Sequence, residues 1–136
     1  MNNDAVHQTQ FVSLNGDGTR VLSRLSYVTC EPYTVGLSFR VEPGEWVEWE
    51  FARDLLVVGL EQPTGIGDVR VRPDLSLDDD TLLLELESPD GYAVVELRHS
   101  DVLRFVGATL ELVPPGTEGR HLDLDTLIAD LTTARP

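Results

Sequence analysis

From Gln10 to Phe51 the dominant period of the apolar positions is two. In the clearest run, Tyr33, Val35, Leu37, Phe39 and Val41 alternate with Thr34, Gly36, Ser38 and Arg40, which predicts a strand with one wetted face. Glu42-Pro43-Gly44 then supplies a turn, because Pro presets its φ and Gly accepts positive φ. Beyond it Val47, Trp49 and Phe51 alternate with Trp46, Glu48 and Glu50, which completes a hairpin. Upstream, Phe11 to Leu14 and Val21 to Val28 flank Asn15-Gly16-Asp17-Gly18, a turn rich in residues that tolerate left-handed backbone. The two hairpins predict a four-stranded antiparallel unit.

The period then lengthens. Phe51, Leu55 and Val58 lie on one helical face within Ala52 to Leu60, and Gly59 is placed to end a short helix. After the loop Gln62 to Gly67 come Val69 to Arg72, Thr81 to Glu87 and Tyr92 to Arg98, the last two joined by Ser88-Pro89-Asp90-Gly91, which predicts a second sheet. Ser100 is placed as an N-cap for a helix carrying Val102, Leu103, Val106, Leu110 and Val113, which Pro114-Pro115 stops. A final helix starts near Asp123, with Leu124, Leu127, Ile128 and Leu131 on one face. The fold class is therefore α+β: two antiparallel sheets of about four and three to four strands, one short central helix and two C-terminal helices. Residues 1–136 form a single domain, with 1–8 and 133–136 as loose ends.

Composition fits one globular core: 136 residues, 41% apolar and 25% charged. The formal charge is −14 and every one of the ten basic residues is Arg. Such a chain repels phosphate backbones and anionic lipid at long range, so a nucleic-acid role needs a local Arg patch. Cys30 is alone, which excludes an internal disulfide and a Cys-based zinc site. The first twelve residues lack the basic and apolar segments of a secretory signal, and no run is long enough to span a bilayer, so a cytoplasmic location is expected.

Tests for chemistry mostly end in structural readings. Gly65-Ile66-Gly67 precedes a strand, whereas a phosphate cradle opens a helix. Asp74, Ser76, Asp78 and Glu85 match part of a calcium-loop template, but Asp79 stands where Gly is needed. His7, His99 and His121 have no metal-ligand spacing, although His121-Leu122-Asp123 offers alternate ligands. Cys30 has acids nearby rather than cations, and there is no nucleophile elbow. Glu48 with Glu50, and Glu85 with Glu87, read as wetted sheet faces. No enzyme is expected, and no catalytic, cofactor or metal residue is assigned. The unusual feature is Trp46 with Arg53, Arg70 and Arg72, the residue types that dominate protein interfaces. These are the candidate partner-binding residues. The alternative is that Trp46 packs under a helix and the arginines pair within the chain.

The run Val47-Glu48-Trp49-Glu50-Phe51-Ala52-Arg53-Asp54-Leu55-Leu56, continued by Gly59-Leu60, Pro63 and Gly67-Asp68-Val69-Arg70-Val71, resembles the SsgA-like family of sporulation and cell-division regulators. Glu31-Pro32-Tyr33, Ser88 to Gly91 and Val113 to Glu118 extend the resemblance over nearly the whole chain. It implies a non-enzymatic, cytoplasmic adaptor at division septum sites, with the tubulin-like protein FtsZ and other SsgA-like proteins as partners and no cofactor. It also implies a whirly-like fold assembled as a homotrimer. An oligomer is expected as well from Leu82-Leu83-Leu84, whose second face a small domain leaves open. The competing function is a whirly-type single-stranded nucleic-acid-binding module, which the acidic charge disfavours.

Overall fold

The computed structural model describes residues 4–16, 18–74 and 80–121. Its strands are β1 (Ala5–Leu14), β2 (Arg20–Val28), β3 (Thr34–Glu42), β4 (Glu45–Ala52), β5 (Val69–Pro73), β6 (Thr81–Ser88) and β7 (Gly91–Arg98). Helices α1 (Arg53–Gly59) and α2 (His99–Leu112) follow β4 and β7, and Glu118–His121 forms a 3-10 turn. The final helix expected near Asp123, with Leu127 and Ile128, lies outside the described residues, as do 133–136.

The class is α+β and antiparallel, but the expectation of two sheets is corrected. All seven strands form one sheet in the order β4-β3-β2-β1-β7-β6-β5. The join is short: Ser13 pairs with Glu96 and Leu14 with Val95. Asn15, at φ 54°, extends it by donating its N–H to Val94 O at 2.8 Å and accepting the Val94 N–H on Oδ1 at 2.9 Å. Residues 5–8, expected to be loose, belong to β1 and pair with β2 from Ala5↔Val28 to Gln8↔Leu25. Their period is hidden because the inward positions include Gln8 and Gln10. Gln8 reaches under α2 and donates to the Asp101 carbonyl at 2.7 Å.

The sheet curls. Phe39, Val41, Val47 and Trp49 of β3 and β4 face Leu86, Tyr92 and Ala93 of β6 and β7 across one cleft of about 230 Å³, although β1 and β2 separate those strands within the sheet. Leu25, Leu37, Leu82, Leu84 and Val95 are fully buried within the curl, and α2 adds Val102, Phe105, Val106 and Thr109. Leu103, expected on that helical face, is 53% exposed instead. At the end of α1, a Cβ on Gly59 would lie 2.6 Å from Val71 Cβ, so only glycine lets the helix meet β5 this closely.

Two further expectations change. Ser100 is not the N-cap of α2; the cap position is Arg98, which is extended because β7 runs straight into the helix. Asp80 supplies the cap, accepting the Ser100 N–H at 2.8 Å and the Ser100 hydroxyl at 3.0 Å. That backbone hydrogen bond holds the Asp80 carboxyl below its ordinary range. Leu83, expected to expose an apolar face, is buried at 8% exposure. Arg72 and Glu96 stand level with it on the neighbouring strands, where long stems cover apolar neighbours.

Candidate functional site

Arg53 continues the inward series Val47, Trp49, Phe51 into the first turn of α1. It is buried at 2% exposure. One guanidinium nitrogen donates to the carbonyls of Thr109 at 3.2 Å and Val113 at 2.8 Å, and the other donates to Glu118 at 2.8 Å. Its Cζ stands 5.2 Å from the centroid of the Tyr27 ring, whose hydroxyl donates to Pro32 O at 2.9 Å. Burial raises the Tyr27 pKa, while the Glu118 carboxyl is lowered first by its own backbone N–H and then by Arg53. The arginine thus ties β4, β2 and the end of α2 together, a use in which both terminal nitrogens of the fork are engaged within the chain.

Arg70 and Arg72 project from the outward face of β5, with side chains 41% and 44% exposed. Arg72 Nε donates to Glu85 at 3.2 Å, and Arg70 lies 3.3 Å from Glu85 and 3.6 Å from Glu87. The Tyr92 hydroxyl donates to Glu85 at 2.8 Å, and this contact is the first cause of the lowered Glu85 pKa, with Arg72 next. Glu85 is therefore engaged on both oxygens rather than set as a proton donor or a calcium ligand; Ser76 and Asp78 of that template lie outside the described residues. Trp46, 40% exposed, sits on the outward face of β4. Because β4 and β5 are opposite edges of the sheet, the four candidates do not converge. One is a core clamp, two share the β5 edge and one marks the β4 edge.

A different constellation gathers around Trp46. Phe11 is level with Leu22, and the register Ser23↔Phe39 brings Leu22 level with Arg40, which pairs with Trp46. These residues form a row across the outward face of β1 to β4. Arg20 and Arg24 flank Leu22 on β2: Arg20 lies over the Phe11 ring at 4.6 Å and Arg24 over the Trp46 ring at 5.0 Å. Among the described residues Arg20, Arg24 and Arg40 make no ion pair. The sequence carried one signal for this row, the period-two series Arg20, Leu22, Arg24 in the polar phase of β2; the other members come from distant strands.

The remaining reactive side chains are dispersed. His99 Nε2 is 2.7 Å from Leu60 O, joining the ends of α1 and α2, and His7 lies near Ser26 at 3.4 Å. Gly65, at φ 102°, folds Thr64 back onto Val71 through paired backbone bonds of 2.9 and 3.0 Å, so the Gly-x-Gly is a turn. Among the described residues no three His, Cys, Asp or Glu side chains gather as a metal site, and no helix is long and apolar enough to cross a membrane.

Residues 21–118 match the family model described as "Streptomyces sporulation and cell division protein, SsgA". The chain is 48% identical over 121 residues to the sporulation-specific cell division protein SsgB of Kineococcus radiotolerans, covering 88% of this chain and 73% of that relative. It is also 48% identical over 101 residues to SsgB of Streptomyces coelicolor, covering 74% of each. A solved structure described as "Mutations in SsgB correlate to longitudinal cell division during sporulation of Streptomyces coelicolor" superposes with a TM-score of 0.83 at 40% identity, covering 88% of this chain and 97% of the other. The SsgA-like sporulation-specific cell division protein of Thermobifida fusca gives 0.82 at 33% identity, covering 94% and 96%.

Proposed function

The chain belongs to the SsgA family of sporulation and cell division proteins, and on that premise we propose that it acts in sporulation-specific cell division as a non-enzymatic adaptor that recruits FtsZ to septum sites. The observation that carries this reading is the sustained likeness to SsgB, 48% identity over most of both chains. The fate of the acidic side chains supports an adaptor over a catalyst. Glu85 and Glu118 are both held by arginine, and such pairing stabilises the ionised form instead of leaving a carboxyl ready for proton transfer. The trimer, the whirly-like assembly and the contacts to other SsgA-like proteins belong to the same proposal. Leu83 no longer argues for the trimer, since the chain covers it unaided.

Within this reading Arg70 and Arg72 remain candidates for partner contact, because exposed guanidinium groups exchange one carboxylate for another at little cost. The test is binding of purified FtsZ, followed by co-sedimentation or interferometry, together with complementation of an actinomycete strain lacking SsgB. FtsZ binding that weakens in the Arg70→Ala, Arg72→Ala double variant is the expected result. No binding by the folded protein, or failure to restore septation, overturns the proposal. Light scattering that shows only the 15.1 kDa monomer at micromolar concentration removes the trimer from it.

A further inference from the structure

Three arginines stand without ion pairs among the described residues on one face of a chain whose formal charge is −14. In such a chain a carboxylate partner is easily found, and Arg53, Arg70, Arg72 and Arg104 each have one. Arg20, Arg24 and Arg40 instead surround an apolar strip of Phe11, Leu22 and Trp46. We infer that this row across β1 to β4 is a binding site for an acidic protein segment in which two carboxylates bracket an apolar side chain.

The chemistry selects that ligand in three steps. Arg20 over Phe11 and Arg24 over Trp46 hold the guanidinium carbons against the rings, and among the described residues no carboxylate pairs with their N–H groups, which can receive a carboxylate bidentately. The spacing comes from β2, where Arg20, Leu22 and Arg24 are successive outward residues. Positions i and i+4 of a strand lie about 13 Å apart, so an extended segment with carboxylates at i and i+4 and an apolar residue at i+2 is the complement. The third step separates a protein segment from single-stranded nucleic acid, which Arg and aromatic residues also bind. Here the guanidinium groups already occupy the ring faces on which bases would stack, and Glu48 and Glu50 follow Trp46 on the same face, where they repel a continuous phosphate chain. Glu48 stands level with Arg24 across β3, so what favours the segment is its lower charge density: two carboxylates in place of a phosphate at every nucleotide. The site is separate from Arg70 and Arg72 at the far edge of the sheet, so it stands whether or not FtsZ binds there.

The probe is a fluorescein-labelled peptide, Gly-Glu-Ser-Leu-Ser-Glu-Gly, titrated with the full chain by fluorescence anisotropy at low and moderate salt. Saturable binding that weakens with salt is expected. The Arg20→Gln, Arg24→Gln, Arg40→Gln variant is expected to bind about tenfold more weakly, because it loses charge-assisted bidentate contacts. A charge control outside the row and outside the β5 edge, Arg104→Gln with Arg120→Gln, stays within about twofold of the unaltered protein. Replacing the peptide's Leu by Ser weakens binding too, a readout independent of how any variant folds. The inference is overturned if the peptide does not bind, if both protein variants weaken it equally, or if the Leu makes no difference. It is overturned in favour of a nucleic-acid surface if oligothymidine binds more tightly than the peptide and loses that binding in the Arg20, Arg24, Arg40 variant.

Discussion

Arg53 over Tyr27 and Arg24 over Trp46 are nearly the same contact, 5.2 Å and 5.0 Å from guanidinium carbon to ring centroid. Their surroundings make them opposites. Around Arg53 the fork is filled by two carbonyls and a carboxylate, and the side chain is 2% exposed. Around Arg24 the ring is 40% exposed and, among the described residues, no carboxylate is paired with the fork. A stacked arginine is therefore structural or available according to its in-plane hydrogen bonds, not its stacking. The buried joint converts those bonds into stability, and the outward row leaves them for a partner.

Removing each arginine tests this most severely. Arg53→Ala strands two carbonyls and the Glu118 carboxylate, and a loss of about 3–5 kcal/mol is expected from urea denaturation. Arg24→Ala should cost at most about 1 kcal/mol, the scale of an exposed cation–π contact. Equal losses would erase the distinction. Next in size, Gly59→Ala drives a methyl into Val71 at the far end of α1 and should cost about 1–3 kcal/mol, a cost Val71→Ala leaves in place because the Val71 Cβ itself lies 2.6 Å away. A cost near zero would show that α1 shifts freely, and so that the joint is loose.

Acid titration extends the comparison from arginines to carboxylates. Glu118 in the joint and Glu85 on the outward face both have folded pKa values below the ordinary one. A carboxyl of this kind contributes stability that is fully present above its unfolded pKa, about 4.3 for Glu, and lost as pH falls through the folded value. Melting temperature should therefore drop on acidification below about pH 4.3, and Glu118→Gln and Glu85→Gln should each make the drop shallower. If neither does, Asp80 at the head of α2, whose pKa is lowered in the same sense, becomes the group to replace. The smallest effect is expected for Arg70→Ala with Arg72→Ala, a melting temperature within a few degrees of the unaltered protein, since exposed pairs contribute little. A large fall would move the β5 edge into the same class as Arg53.

The strand hairpins were legible because each alternates cleanly and carries its own turn chemistry, as from Tyr33 to Phe51. The single sheet was not, because two paired residues and Asn15 make the join, and no periodicity marks so short a ladder. The start of β1 was hidden for another reason: Gln8 and Gln10 point inward, so the alternation reads as polar throughout. Of the candidate residues, Trp46 was placed correctly on the face of Glu48 and Glu50. Arg53 was grouped with exposed arginines on charge alone, although the series Val47, Trp49, Phe51, if continued by two, assigns it inward. The Arg20, Arg24 and Arg40 row needed the register of four strands, which only the fold provides.

The short join at Ser13 and Leu14 also bears on how the chain reaches this shape. On either side of it, strands pair with sequence neighbours, β1 to β4 in one meander and β5 to β7 in another. Meanders of local contacts form early, whereas pairing residues far apart in the chain must first overcome the entropy of closing the long loop between them. The order of assembly that follows is two half-sheets first and their seam last. Amide exchange is expected to reflect it, with Asn15 and Val94 opening more readily than Leu25 or Leu37, and the reverse order would place the seam in the nucleus. The weakest line in the finished sheet thus runs through its centre, while each half is zipped by ladders between neighbours in sequence.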